Sequence, residues 1–119
     1  MSYSIEQLIR RLSLRQLQVF LAVYKLQGYR KAADSLGLTQ PAVSAQIRQL
    51  EETLKQPLFD YVGRKLYRLT AADRLAVCVE QIFAELSDMQ TDINALQGQL
   101  SGELSLCAVN TAQYVVPHV

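Results

Sequence analysis

Gln40, Pro41, Ser44, Ala45 and Arg48 stand one, three or four residues apart, the spacing that brings side chains onto a single stripe of an α-helix. An amide, a hydroxyl and a guanidinium on such a stripe suit the edges of base pairs in a major groove, and Pro41 and Ala45 are short enough to meet a thymine methyl. Gln46 lies beside them. The opposite stripe is apolar: Val43, Ile47, Leu50 and Leu54 recur at intervals of four and three, so this helix has one face for a core and one for a partner. Thr39 precedes it as an N-cap, and Pro41 falls in its first turn, where a missing N–H does no harm. The outer stripe also has a plainer reading, the solvated face of an ordinary helical hairpin, because fold alone does not fix function.

The residues before it must position this helix. Ala32, Ala33 and Leu36 predict a short first helix whose alanines allow close backbone approach, and Gly37 ends it, since a left-handed terminal residue costs glycine no Cβ clash. Tyr29 to Leu54 is thus predicted as a helix-turn-helix, with Tyr29 a wedge beside Ala33. Arg30 and Lys31 oppose the dipole at the start of the first helix; a DNA phosphate would compensate them, and plain solvation is the alternative. Upstream, Ser13 with Gln16 predicts a capping box, and Leu12 with Leu17 a hydrophobic staple. The bracing helix they open runs from Leu14 to about Gln27, buries Leu14, Leu17, Phe20, Leu21 and Tyr24, and ends at Gly28. Ser4 to Leu12 predicts a further small amphipathic helix, with Ser4 and Gln7 as its box.

Downstream, Pro57 stops helical continuation. Leu58 to Val62 and Lys65 to Leu69 predict a hairpin turning at Gly63, with Arg64 and Lys65 at its tip. Such a tip suits phosphates or a minor groove, although charged edges also serve to prevent aggregation. Thr70 is the expected cap of a longer helix, with Asp73 in its first turn. Leu75, Val79, Ile82, Leu86, Met89, Ile93, Leu96 and Leu100 then alternate in steps of four and three, a heptad stripe that calls for the same helix of a second subunit. Ala76, Val77 and Phe83 widen the first turns for packing on the winged part. Gly102 is the expected end, and Leu104, Leu106 and Ala108 alternate as in a strand.

Half of the 119 residues are apolar and 19% are charged, the composition of a globular domain rather than a disordered chain. No run of ~18 apolar residues is present to span a bilayer, and MSYSIEQLIRR has no secretory hydrophobic region, so a cytoplasmic location is expected. The net charge of +1 conceals an asymmetry. Residues 1–70 hold 11 Lys and Arg against 5 Asp and Glu, a net of +6, and residues 71–119 hold 1 against 6, a net of −5. The basic part contains the motif and suits phosphate. Cys78 and Cys107 match no metal-ligand spacing, His118 is the single histidine, and no phosphate loop or nucleophile grouping is present; no metal, no cofactor and no enzyme activity are expected.

Over about Ser13 to Pro117 the chain resembles LysR-type transcriptional regulators. The resemblance is carried by LRQLQVFLAVYKLQGYRKAADSLGLTQPAVSAQIRQLEETLKQPLF, the GRKL turn, the LT cap and the GELSL run. LRQLQVF and AVNTAQYVVPH are similar to regulators of carbon-fixation operons. The resemblance implies a mainly α fold, a winged helix-turn-helix followed by a long coiled-coil helix. It implies binding of double-stranded DNA at an interrupted palindrome and a homodimer through antiparallel linker helices. It further implies a homotetramer in the full-length protein, and a small-molecule effector bound only by a domain that lies beyond this chain. Gln40, Pro41 and Ser44 match the family's base-reading positions, Arg64 its wing arginine, Thr39 its phosphate-contacting cap, and Asn110 and Thr111 the effector-pocket rim. The expected division is an extension over 1–12, the winged head over 13–70, the dimerisation helix over 71–100 and the start of an effector domain over 101–119. Three positions depart from the family pattern: Gly28 replaces a serine, Arg68 lengthens the wing and should force a bulge, and Asp73 replaces a glycine. A coiled-coil interaction protein with a helical head is the competing expectation.

Overall fold

The computed structural model describes residues 4–101, with the side chains of residues 4–98. Helix α1 (Ile5–Arg11) opens on a complete capping box: Ser4 Oγ accepts from the Gln7 N–H at 3.3 Å and Gln7 Oε1 from the Ser4 N–H at 2.9 Å. It touches α4, yet none of its residues is buried. Ser13 caps α2 (Leu14–Leu26), accepting from the Gln16 N–H at 3.1 Å. The reciprocal half of that box is missing because the Gln16 side chain turns inward, where its Nε2 approaches Gln49 Oε1 at 3.5 Å.

Leu17, Val19, Phe20 and Val23 form the buried side of α2. Leu14, expected among them, is 51% exposed, and Leu21 and Tyr24 are half-buried. Helical side chains lean toward the N-terminus, so Leu14 in the first turn projects past the end of the helix instead of onto the core. The end of α2 also differs from expectation. Gln27, not Gly28, takes the left-handed conformation (φ 55°), and Gly28 is extended (φ −176°) as the N-cap of α3 (Tyr29–Leu36). A Cβ at Gly28 would meet only the Lys31 side chain, at 3.7 Å, so a serine fits there.

Gly37 ends α3 in the left-handed conformation expected of it (φ 69°), and the Leu38 N–H closes the turn on the Ala33 carbonyl at 2.9 Å. Helix α4 (Gln40–Leu54) then buries Val43, Ile47, Leu50 and Thr53 against α2 and α3, whose Ala32 and Ala33 are themselves buried.

Strands β1 (Phe59–Val62) and β2 (Lys65–Arg68) pair antiparallel in an unbroken register, Phe59 with Arg68 through to Val62 with Lys65. The bulge expected of Arg68 is absent. Leu66 points inward, and Leu69 has already left the ladder, so the two need not share a face. Gly63 (φ 67°) occupies the first of two turn positions and Arg64 the second, the pattern of a II′ hairpin turn. The hairpin's inner side packs by rings: Phe59 lies 5.6 Å from Phe20, and Tyr29 meets Phe59 edge-on at 6.4 Å and Tyr61 at 5.6 Å.

Helix α5 (Thr70–Ser101) follows at once. The Leu69 carbonyl accepts from the Ala72 and Asp73 N–H groups at 2.9 and 3.2 Å, so Thr70 is already helical and is not the cap the sequence suggests. Ala72, Ala76 and Val79 are buried, whereas Val77, expected to pack on the winged part, is 52% exposed. Packing distinguishes two units, one ending at Glu80 and the other beginning at Gln81, so the first turns of α5 belong to the head. Gly102, the alternation at Leu104, Leu106 and Ala108, and Cys107, Asn110, Thr111 and His118 lie outside the described residues.

Candidate nucleic-acid interface

The polar stripe of α4 is a free surface. Gln40, Pro41, Ala45 and Arg48 are exposed along the helix, Ser44 and Gln46 are half-buried, and the opposite stripe holds the core. Thr39 Oγ1 accepts from the Ala42 N–H at 3.2 Å, which caps the helix and fixes where its first turn begins. Polar groups able to pair with base edges are thereby set on a rigid element at its N-terminal half.

The cations around this motif face solvent. Arg30 and Lys31 in the first turn of α3, Arg48 on α4 and Arg64 in the hairpin turn are exposed, and among the described residues none has a carboxylate within ion-pair distance. Lys25 and Glu80 pair at 3.1 Å and Lys55 and Glu52 at 3.2 Å, with cations at the C-terminal ends of α2 and α4. Lys65 lies 5.6 Å from the centre of the Tyr67 ring and is also exposed.

One residue that holds the wing escapes a reading of the sequence. Glu51, in the last turn of α4, accepts from the Leu58 N–H at 2.8 Å and the Phe59 N–H at 3.5 Å through one carboxylate oxygen. A signal for it exists: an acid in a last helical turn opposes the helix dipole and calls for donors from elsewhere. Glu51 also raises the Tyr29 hydroxyl, which is pushed up to about 12, first by burial, then by Glu51 and Tyr61, against an opposing effect of Arg48. A tyrosine ionises near pH 10 once unfolded, so the stability due to neutral Tyr29 is complete below ~pH 10 and drains away as pH rises toward about 12. Denaturant titrations should therefore show Tyr29→Phe changing stability little at neutral pH and making its alkaline decline shallower; an unchanged decline would contradict this placement of the ring.

No helix among the described residues is long and apolar enough to cross a membrane. A tri-helical core with a capped, polar-faced second helix, a two-stranded wing and exposed cations on three elements is a winged helix-turn-helix module for DNA. The model of the family of bacterial regulatory helix-turn-helix proteins, lysR family, matches residues 14–74, and the chain belongs to that family. It is accordingly a DNA-binding domain of a transcriptional regulator and not an enzyme.

Among similar proteins, a RuBisCO operon transcriptional regulator of Acidithiobacillus ferrooxidans is 39% identical over 111 residues, covering 93% of this chain and 36% of that protein. The HTH-type transcriptional regulator CbbR of Rhodospirillum rubrum is 42% identical over 106 residues, covering 89% and 36%. The chain thus spans about a third of the length of these curated relatives. Among solved structures, the DNA-binding domain of BenM in complex with catB site 1 DNA superposes with a TM-score of 0.68 at 28% identity, over 71% of this chain and 94% of that one. A LysR-family regulator from Eggerthella lenta gives a TM-score of 0.56 at 35% identity, over 58% and 99%.

Proposed function

We propose that this chain reads an interrupted palindrome in double-stranded DNA as a homodimer, in the cytoplasm, with Gln40, Pro41, Ser44, Ala45 and Arg48 of α4 facing base edges. Arg30, Lys31 and Thr39 contact phosphates, and Arg64 and Lys65 bring the wing onto the backbone or into a minor groove. The observation that carries this reading is the set of exposed cations without carboxylate partners on α3, α4 and the wing, beside a helix face that is polar and otherwise unoccupied. Two copies would place their α4 helices in major grooves on one face of the duplex. The naming of similar proteins for the RuBisCO operon supports a carbon-fixation operon as the target class. A small-molecule effector and a tetramer belong to the full-length protein.

The proposed head over 13–70 is supported by packing that takes in the root of α5 as far as Glu80, and the dimerisation seam is proposed along the rest of that helix. Val79 is fully buried within one chain, so it serves the head; Leu75 and Ile82 are half-buried at the root, and with Leu86, Met89, Ile93, Leu96 and Leu100 they remain for the second copy. Leu86, Met89 and Ile93 are 38%, 50% and 43% exposed, a row that a single helix does not cover, and the side chain of Leu100 lies outside those described.

Selection from a genomic fragment library followed by footprinting tests the reading. Gln40→Ala and Ser44→Ala should each lose about 5- to 150-fold at one base position, the equivalent of ~1–3 kcal/mol per base contact, while the fold is retained. Unchanged specificity would remove these residues from the reading face. A monomer in sedimentation at micromolar concentration would remove the dimer.

A further inference from the structure

We propose that Tyr24, Arg68 and Asp73 form a latch joining the wing, the end of α2 and the root of α5, and that Tyr24 thereby positions the two reading helices of a dimer and sets the half-site spacing it accepts. The inference rests on the dimeric reading above.

The Tyr24 hydroxyl donates to Asp73 Oδ1 at 2.7 Å, and the Tyr24 carbonyl accepts from Arg68 Nε at 2.8 Å. The Arg68 guanidinium carbon lies 4.3 Å from the centre of the Tyr24 ring, so one residue is gripped on its backbone, its ring face and its hydroxyl. The carbonyl belongs to the last turn of α2, the negative end of that helix, where a guanidinium is favoured.

Next along α2, Lys25 pairs with Glu80 at 3.1 Å. Asp73 and Glu80 are seven residues apart and share one side of α5, so α2 holds that helix at two points two turns apart. The buried side of the same stretch is Ala72, Ala76 and Val79. Small side chains make a smooth contact that resists sliding and rotation poorly, and an exposed ion pair adds little stability. These polar contacts therefore act on direction more than on stability. Direction matters here because α5 continues 21 residues beyond Glu80, ~32 Å, so a tilt of ~10° at the root displaces its far end by ~5 Å. That exceeds the ~3.4 Å rise of one base pair.

The test measures binding of the full chain to the selected operator, to duplexes with one or two base pairs inserted between its half-sites, and to a single half-site. The wild-type chain should prefer the native spacing. Tyr24→Phe, which keeps the ring and the carbonyl but removes the bond to Asp73, should reduce that preference about threefold to tenfold and leave half-site affinity within about twofold. Asp73→Ala should behave likewise, and Asp73→Asn, whose Oδ1 still accepts the phenol proton, should restore the preference. Retention of the native spacing preference by both Tyr24→Phe and Asp73→Ala would overturn the latch while leaving the dimer intact. A wild-type chain indifferent to spacing would instead overturn the dimeric reading, and the latch with it.

Discussion

Replacing Arg30, Lys31, Arg64 and Lys65 together by glutamine is expected to abolish most DNA binding while leaving the fold untouched. Each phosphate neutralised by a cation contributes about −0.9 to the slope of log affinity against log salt, so four cations per head account for about −3.6. Between about 50 and 200 mM salt that slope alone is worth roughly two orders of magnitude per head, and the variant should lose this dependence along with the affinity. The fold should survive because all four side chains are exposed and none forms an ion pair among the described residues. Glutamine at position 65 takes the cation away from the Tyr67 ring, an exposed cation–π pair worth about 0.5–1 kcal/mol. Fluorescence anisotropy across a salt series, paired with circular dichroism of the same samples, measures both halves. A variant with a wild-type slope would place the phosphate contacts elsewhere, and one that binds no DNA because it has unfolded would show it in the dichroism. The competing reading of the chain as a coiled-coil interaction module predicts weak, sequence-indifferent binding from the start.

Phe20→Ala should be the most damaging single substitution in the head. Phe20 is completely buried and packs its ring 5.6 Å from Phe59 and 5.9 Å from Tyr24, so it joins α2 to the wing as well as filling the core. Removing it leaves a cavity where α2 meets the wing, with an expected loss of about 3–5 kcal/mol. A domain of this size has about 5–10 kcal/mol in all, so the thermal midpoint should fall by at least about 12 °C. Leu14→Ala is the matched control. The sequence places Leu14 on the same apolar stripe, but the structure leaves it half exposed, and its loss should change stability by about 0.5 kcal/mol or less. Equal damage from the two substitutions would contradict the packing described for α2.

Periodicity makes the helix-turn-helix legible because α3 and α4 obey local rules without conflict: Gly37 stops one helix, Thr39 and Pro41 start the next, and Val43, Ile47 and Leu50 share a face. The reading side of α4 follows by subtraction. Sequence and structure part where a local preference competes with a neighbour. Spacing assigns Gln16 to a capping box, and Gln49 draws it inward; Thr70 has the chemistry of a cap that the Leu69 carbonyl renders unnecessary. Gln27 bears the left-handed turn although glycine follows it, since Gly28 is needed in an extended conformation to begin α3. Arg68 looks like an inserted wing residue because a strand pattern says nothing about a carbonyl 44 positions earlier in the chain. Long-range pairs of this kind have no periodic signature, and neither has the grip of Glu51 on amides seven and eight residues further on.

The grip of Glu51 on the wing bears on the thermodynamics of recognition. Two strands of four residues do not hold together alone in water, so the hairpin derives its order from the α4 carboxylate that takes the Leu58 and Phe59 amides at its entry and from the rings behind it. That order is settled during folding and need not be created when DNA arrives. Wing and reading helix then meet the duplex as one preformed tool, association loses no entropy in assembling it, and the heat capacity change on binding should stay small compared with that of a segment that folds on its target.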